Sequence, residues 1–388
     1  MWVPRSTDEL LAALPSFAES ANLDVKREFP AAGKNEDVAV DIAAMSVDGG
    51  TIIYGIDEDK ATGTFDSNPI PLKGLVERVT NIVQSRIGGP PSIEVIQLPQ
   101  GEGEGLGFLV VVVPPSPTAP HMVLSKGQFY GRGPGGNVIL TQGEVDRLYE
   151  RRRRAEIDRR NVLTDWVADS PYEAEGSFFF VIHPVLGDDS LLDRAWPGDL
   201  GGQLYLAINS AVSQVGANVV LALGIGELTT LAVGKTMRGW SITQSEKLEY
   251  AHALSILNDG TIRYAFKGAV STREFNGQEY VVFRDRGCAQ AGAQMMCFAS
   301  VLYQADNYFG QVDILFDVRG TEGSIGFDWV DGMVPPPRRP TFEGPMTNEM
   351  TVPASALATD NWAQTARDLF DRMKEVVGPR RPIDFFGG

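Results

Sequence analysis

Residues 23–57 contain three consecutive segments whose hydrophobic spacing changes from a strand pattern to a helix pattern and back. LDVKREF (23–29) alternates apolar and polar residues, which predicts a strand with one polar face. NEDVAVDIAAMSV (35–47) repeats its apolar residues at helical spacing, and Asn35 is the predicted N-cap. After a Gly-Gly pair, TIIYGID (51–57) predicts a second, apolar strand. Helices and strands that alternate in this way indicate an α+β fold, a mixture of α and β elements.

The same patterns predict two folded regions. The first covers residues 1–150, and a basic helix over 141–165 connects it to the second. Residues 177–377 form this second α+β domain, of unknown type, with hairpin signals at 255–266 and 273–283. A chain of 388 residues is long enough for two such domains.

Composition excludes several classes of protein. The formal net charge of -16 argues against a general polyanion binder, so any nucleic-acid binding must use a local basic patch. The two cysteines, Cys288 and Cys297, are predicted to be buried thiols rather than a disulfide framework, which fits a reducing cytoplasm. No apolar run reaches the roughly 18–20 residues of a membrane span, so the predicted location is cytoplasmic. The tail 378–388 is predicted to be disordered.

Two glycine-containing patterns that resemble nucleotide-binding loops lack the required context. G-x-G-x-x-G at 131–136 comes after a predicted strand, but an apolar β-branched run stands after it instead of a helix. The Gly-Lys-Thr at 234–236 has Thr229 where a phosphate-binding loop needs its first glycine. We therefore expect neither a dinucleotide site nor a nucleoside triphosphatase.

Residues 19–59 carry the most informative motif. ESANLDVKREF is followed by the predicted helix and then by GGTIIYGIDED. This order resembles the Schlafen AlbA-like family, whose pattern is roughly E-x-x-x-L-[ED]-F-K, a helix ending near Gly-Gly, and an apolar strand ending in G-[VI]-D. Downstream, FYGR at 129–132 resembles the aromatic-x-Arg strand of the family. Thr141 and Glu144 resemble its closing Thr-x-x-Glu helix, so the resemblance covers about residues 1–150.

The resemblance implies a candidate site. Nuclease members of the family place Mg²⁺ or Mn²⁺ on three carboxylates, which correspond to Glu19, Asp24 and Asp57, and Lys26 matches the motif lysine. Glu19 ends a helix predicted over 6–20, and Asp24 and Lys26 share one strand face. Oxygen ligands suit these hard cations, which could activate water at a phosphodiester. Lys26 and Arg132 would then hold the phosphate.

The sequence departs from the family at three places and allows other interpretations, among them that Glu19 is a solvated helix-end residue. Ser46-Val47-Asp48 precedes the Gly-Gly pair where the family often has an Asn. Asp24 is one methylene shorter than the usual Glu, and Val25 replaces the usual aromatic residue. The alternatives are that Asp24 and Lys26 form the exposed face of an edge strand and that Asp57 caps a turn. Asp41, beside an apolar helical stripe, would pair with a nearby Arg or Lys.

A run of four arginines is the strongest positive feature of the chain. Arg151, Arg152, Arg153 and Arg154 could bind a phosphate backbone. They could equally pair with acidic residues at helical spacing, namely Glu144, Glu150, Glu156 and Asp158.

The sequence supports three hypotheses about function. The leading one is an RNA- or DNA-binding protein of Schlafen type, with metal-dependent endoribonuclease activity as its narrower form. The alternative is a non-catalytic DNA-binding transcriptional regulator whose C-terminal domain senses a ligand or forms a homo-oligomer. The third is a scaffold for another protein, which the negative charge favours.

Overall fold

The structure is a computed structural model, and it describes residues 2–17, 22–59, 62–101, 105–133, 135–198, 200–215, 234–275, 277–326, 342, 344–358 and 361–377. The predicted tail at 378–388 lies outside the described residues. The chain divides into two compact units, Met1–Glu156 with Phe309–Gln311 and Ile157–Tyr308 with Val312–Gly388. Both units combine helices with sheets, which confirms the predicted α+β fold class.

The elements of the first unit occur in the predicted order. Its helices are α1 (Thr7–Ala13), α2 (Asn35–Met45), α3 (Leu75–Arg86) and the first part of α4 (Gln142–Asp169). Its strands are β1 (Leu23–Lys26), β2 (Gly50–Tyr54), β3 (Ile56–Asp59), β4 (Thr64–Ser67), β5 (Ile70–Pro71), β6 (Ile87–Gly88), β7 (Glu94–Pro99), β8 (Leu106–Val113), β9 (Met122–Val123), β10 (Gln128–Gly133) and β11 (Gly136–Ile139).

A five-stranded sheet forms the core of the first unit, in the order β1-β2-β8-β5 with β7 also paired to β8. β1 runs parallel to β2, whereas β8 runs antiparallel to it. Alternate residues of β8 enter two different cores, because both faces of this sheet are covered. Val111 packs with residues of α2 and α3, and Val110 packs with Leu10 of α1.

A glycine and a proline make two predicted elements end early. The helix expected over 6–20 ends at Ala13 and continues as a 3-10 turn that contains Pro15, which lacks the N–H a longer helix needs. The strand expected over 51–57 is interrupted at Gly55, whose φ is +106°. Residues after Gly55 form β3, which pairs with β4 in a separate two-stranded ribbon.

The predicted N-cap of α2 is wrong. Lys34 precedes the helix without a capping side-chain bond, and Asn35 is already its first helical residue. The Asn35 side-chain oxygen instead accepts hydrogen bonds from Arg78 Nε at 3.1 Å and Nη2 at 2.5 Å. This tertiary contact with α3 replaces the local cap.

The glycine-rich segment after β10 forms an antiparallel hairpin of β10 and β11. These strands belong to a four-stranded sheet in the order β11-β10-β9-β6. The G-x-G-x-x-G pattern therefore lies in a hairpin rather than in a strand-to-helix turn, which agrees with its rejection as a dinucleotide site.

The second unit begins within α4. Its further helices are α5 (Leu191–Ala195), α6 (Leu200–Val215), α7 (Asp285–Ala305) and α8 (Trp362–Val377). Its strands are β12 (Ser177–Pro184), β13 (Gly234–Thr236), β14 (Gly239–Thr243), β15 (Ala251–Leu257), β16 (Ile262–Lys267), β17 (Val270–Phe275), β18 (Gln278–Phe283), β19 (Gln311–Val318), β20 (Ile325–Gly326) and β21 (Met346–Pro353).

A seven-stranded sheet, in the order β13-β14-β15-β16-β12-β19-β21, carries the second core. Phe178 and Phe180 of β12 face α6, α7 and α8, while Phe179 faces Trp166 of α4. The predicted hairpins are present as β15–β16 and β17–β18. Both cysteines are free and buried, as predicted. In the part of the chain that the structure describes, no helix is long and apolar enough to cross a membrane.

Candidate nucleic-acid interface and buried charge cluster

Strand β1 presents Asp24 and Lys26 on one face, as its period of two predicts. Lys26 Nζ lies 3.3 Å from Asp24 Oδ2. The Asp24 side chain is only 8% exposed, whereas that of Lys26 is 34% exposed. The interpretation of Asp24 as part of a solvated strand face is therefore wrong, since burial makes its charge depend on partners inside the protein.

Helix α2 and the β10–β11 hairpin supply these partners. Asp41 Oδ2 lies 3.4 Å from Lys26 Nζ, and Arg132 Nη1 donates to Asp24 Oδ2 at 3.0 Å. Asn137 connects both sides, because its Nδ2 donates to Asp41 Oδ1 at 2.6 Å and its Oδ1 accepts from Arg132 Nη1 at 3.1 Å. We call these five residues, Asp24, Lys26, Asp41, Arg132 and Asn137, the charge cluster.

The charge cluster contains two carboxylates and two cations. Burial raises the pKa of Asp41, and the nearby Lys26 ammonium only partly opposes this effect. Burial alone would lower the pKa of Lys26, but Asp41 and Asp24 outweigh it and raise that pKa. The Tyr54 side chain beside them is fully buried, and burial raises its pKa well above the usual range. The cluster thus joins three parts of the fold through balanced charges.

The other predicted carboxylates do not join this cluster in the described residues. Asp57 lies in β3, where its side chain is 43% exposed and its Oδ2 is 3.5 Å from Arg27 Nη1. The interruption at Gly55 accounts for this, because Asp57 no longer continues the buried strand β2. Glu19 lies outside the described residues.

The described carboxylates do not fit a Mg²⁺ or Mn²⁺ ion. Such cations need several oxygen ligands directed at one point. Asp24 already contacts the cationic groups of Lys26 and Arg132. Among the described residues, no group of three or more His, Cys, Asp or Glu side chains could hold a metal ion. The three-carboxylate metal site that includes Glu19 stays a prediction.

The arginines of α4 divide into anchored and exposed residues. Arg151 Nη2 donates to the Val47 carbonyl at 2.7 Å, which ties α4 to the residues after α2. The next three residues, Arg152, Arg153 and Arg154, are exposed. Arg153 and Arg154 each contact the Glu150 carboxylate, at 2.7 and 3.5 Å, so the predicted helical pairing is present.

The start of α4 is fixed by the predicted Thr-x-x-Glu pair. Glu144 Oε2 accepts from both the Thr141 backbone N–H and its hydroxyl, each at 2.7 Å. These bonds lower the pKa of Glu144, so it remains ionised. The contact corresponds to the glutamate half of a capping box, and it sets where the arginine-bearing helix begins.

Two members of the charge cluster were not predicted as site residues. Asp41 was expected only to pair with a basic residue, which the contact with Lys26 confirms. Its signal in the sequence is an acid between the apolar residues Val40 and Ile42 on a buried helix. Asn137 has no such signal, because its contact with Asp41 joins residues 96 positions apart.

Comparison with family models agrees with the resemblance seen in the sequence. No curated protein matches the chain. Among solved structures, the N-terminal domain of a RecG-related protein from Nitrosomonas europaea matches with 25% identity and a TM-score of 0.23, over 29% of this chain and 74% of that one. The family model described as Schlafen, AlbA_2 matches residues 19–141, which include the whole charge cluster. The resemblance of the N-terminal region to the Schlafen AlbA_2 family is thereby confirmed over these residues.

Proposed function

We propose that the first unit binds RNA or DNA, and that the arginine run of α4 contacts the phosphate backbone. The observation that carries this proposal is the exposure of Arg152, Arg153 and Arg154 at consecutive helical positions. Consecutive residues of a helix point about 100° apart, so the three guanidinium groups spread over about half of its circumference. This arrangement suits several phosphates of one strand rather than a single small anion.

The acidic pairs on this helix do not block such contacts. Glu150 contacts both Arg153 and Arg154, so one carboxylate balances two guanidinium groups. Ion pairs between exposed side chains contribute only about 0–1 kcal/mol and are easily exchanged for phosphate. The chain as a whole carries a net charge of -16, which repels a polyanion. The local concentration of arginine is therefore the part of the first unit that attracts one.

Binding without cleavage is the form of this function that the charge cluster supports best. Asp24 is neutralised by Lys26 and Arg132, which makes it a structural partner of cations rather than a free metal ligand. Metal-dependent endoribonuclease activity through Glu19, Asp24 and Asp57 is the narrower hypothesis, and incubation of RNA with Mn²⁺ tests it. The regulator hypothesis shares the same nucleic-acid-binding step, with homo-oligomer formation as an additional prediction.

The binding proposal is tested by fluorescence anisotropy with labelled single-stranded RNA and duplex DNA in EDTA, over a series of salt concentrations. We expect the affinity to fall steeply with salt, with a slope of about 0.7–0.9 per neutralised phosphate. The combined variant R152A/R153A/R154A should lower that slope by about two to three. The control variant K235A/R238A/K247A removes equal charge at exposed residues of the second unit and should leave the slope unchanged.

The cleavage hypothesis is tested with the same RNA in Mn²⁺ and in EDTA. Intact RNA in both, with binding retained in EDTA, is the expected result. Fragments that require Mn²⁺ and disappear in Asp24→Asn and Asp57→Asn would establish the endoribonuclease instead. Absence of salt-sensitive binding to either nucleic acid would overturn the binding proposal and favour the scaffold hypothesis.

A further inference from the structure

A pocket of about 330 Å³ opens on the first unit between β10, the start of α4 and the residues just after α2. Three arginines line it: Arg132 from β10, and Arg147 and Arg151 from α4. Gly131, beside Arg132, packs closely against Leu140, because an added Cβ there would lie 2.7 Å from Leu140 Cδ2. We infer that this pocket holds one phosphate group of the bound strand, an assignment that rests on the proposed function.

Arg132, which lines the pocket, carries one unused donor. Its Nη1 donates to Asp24 and to Asn137, so the charge cluster fixes the direction of the guanidinium. Its Nε is buried and has no hydrogen-bond partner among the described residues. A buried N–H without a partner is unfavourable, and a phosphate oxygen is a strong acceptor for it. The pocket is the open space that this same side chain lines.

Arg147 and Arg151 contribute positive charge from the facing helix. They are four residues apart, which places them on the same side of α4, where two like charges repel. Arg147 Nε donates to the Gly143 carbonyl at 3.3 Å, and in the part of the chain that the structure describes no carboxylate forms an ion pair with it. A phosphate between the two guanidinium groups would replace this repulsion with attraction to both.

Two acids, Asp48 and Glu144, also lie in the pocket wall. Asp48 lies 3.4 Å from Arg151, and its side chain is 72% exposed. Glu144 accepts hydrogen bonds from Thr141, and its carboxylate also interacts electrostatically with Arg147. Asp24, which pairs with Arg132, is a third carboxylate, so the three arginines contribute N–H donors for a phosphate rather than a net positive charge. The volume admits a phosphate together with part of its sugar.

The pocket differs from the exposed run of Arg152, Arg153 and Arg154 in its geometry. The exposed arginine run can contact any phosphate near the helix, whereas three other arginines line one pocket. We therefore expect the pocket to fix one phosphate, and the exposed run to contribute salt-dependent attraction that is tolerant of position.

The test monitors the Arg132 Nε–H resonance by nuclear magnetic resonance during titration with a 12-nucleotide RNA and, separately, with inorganic phosphate. Ionic strength is kept constant with chloride. We expect a saturable shift with both ligands. Arg147→Gln should weaken both responses at least fivefold, and Arg153→Gln, an equal loss of exposed charge on the same helix, should leave the phosphate response unchanged. Circular dichroism checks that both variants are folded.

Two results would overturn this inference in different ways. If the RNA binds by anisotropy while the Arg132 Nε–H resonance stays in place and R147Q behaves like R153Q, the pocket is not a phosphate site, although the binding proposal stands. If inorganic phosphate shifts the resonance but the RNA binds nowhere, the proposed function fails and with it the assignment to a nucleic-acid strand.

Discussion

Lys26 Nζ lies 3.4 Å from Asp41 Oδ2 and 3.3 Å from Asp24 Oδ2, so one ammonium group bridges two buried carboxylates. The two acids come from different elements, β1 and α2, and would repel each other without it. The Lys26 ammonium therefore offsets the repulsion between the two carboxylates, as a bound cation would. It holds the N-terminal strand to the helix that the sequence motif places after it.

Substitution of Lys26 by Met tests this relationship through its pH dependence. Removal of the ammonium leaves Asp41 without a cationic partner and Asp24 with Arg132 alone. We expect a loss of about 2 kcal/mol in the free energy of unfolding at pH 7, below the range for a broken buried pair because Lys26 is one-third exposed. The pKa of Asp41 is raised in the folded protein. Its contribution to the stability of the fold therefore increases as pH falls and is lost as pH rises through that pKa.

The loss in Lys26→Met should therefore be smaller at pH 5 than at pH 7, as measured by urea unfolding. Arg27→Met, which removes a cation next to it at an exposed position, is the control and should show little change at either pH. An equal loss for K26M at both pH values would contradict the role of the carboxylates.

Neutralisation of Asp24 should lower the free energy of unfolding much more than neutralisation of Asp57. Asp24→Asn leaves the largely buried Arg132 without a carboxylate partner and Lys26 with Asp41 alone, so we expect a loss of about 2–4 kcal/mol. Asp57→Asn breaks only an exposed pair with Arg27 and should cost at most about 0.5 kcal/mol. Chemical denaturation of both variants measures this difference. Similar losses would indicate that Asp57 joins the buried charges.

The sequence predicted the local parts of this site better than the contacts between them. Alternation along β1 correctly placed Asp24 beside Lys26, because a strand has only two faces. The position of Asp57 relative to the apolar strand was wrong, because Gly55 adopts a positive φ and redirects the chain. The bond between Asn137 and Asp41 depends on how a distant hairpin packs against α2, which no periodicity encodes.

The first glycine after α2, Gly49, lies where a side chain would meet Pro115, and this close packing can be tested. Gly49 has φ +80°, and a Cβ there would lie 2.5 Å from Pro115 Cδ. Gly63 has a similar φ of +69°, but open space surrounds its missing side chain. Both Ala variants carry the cost of a left-handed backbone, about 1–2 kcal/mol. Only Gly49→Ala adds a steric clash.

We therefore expect Gly49→Ala to destabilise the protein by about 1–3 kcal/mol more than Gly63→Ala, since overpacking in a well-packed region has that typical cost. Parallel urea titrations of the two variants give the difference directly. If the two losses agree within error, the contact with Pro115 relaxes freely and packing is not what requires glycine at position 49.

His252 provides a test of the second core that is independent of nucleic acid. Its side chain is fully buried, its ring lies 5.1 Å from that of Phe266, and its Nδ1 is 2.7 Å from the Tyr264 hydroxyl. Burial lowers the pKa of His252 to about 4. A base whose folded pKa lies below its unfolded value stabilises the fold above about pH 6.5, and this contribution is lost as pH falls toward 4. The ¹³Cε1 shifts of the chain's three histidines, with His252→Gln for assignment, report each titration separately. We expect the His252 signal to titrate near pH 4, and a midpoint near 6.5 would mean that water reaches this ring.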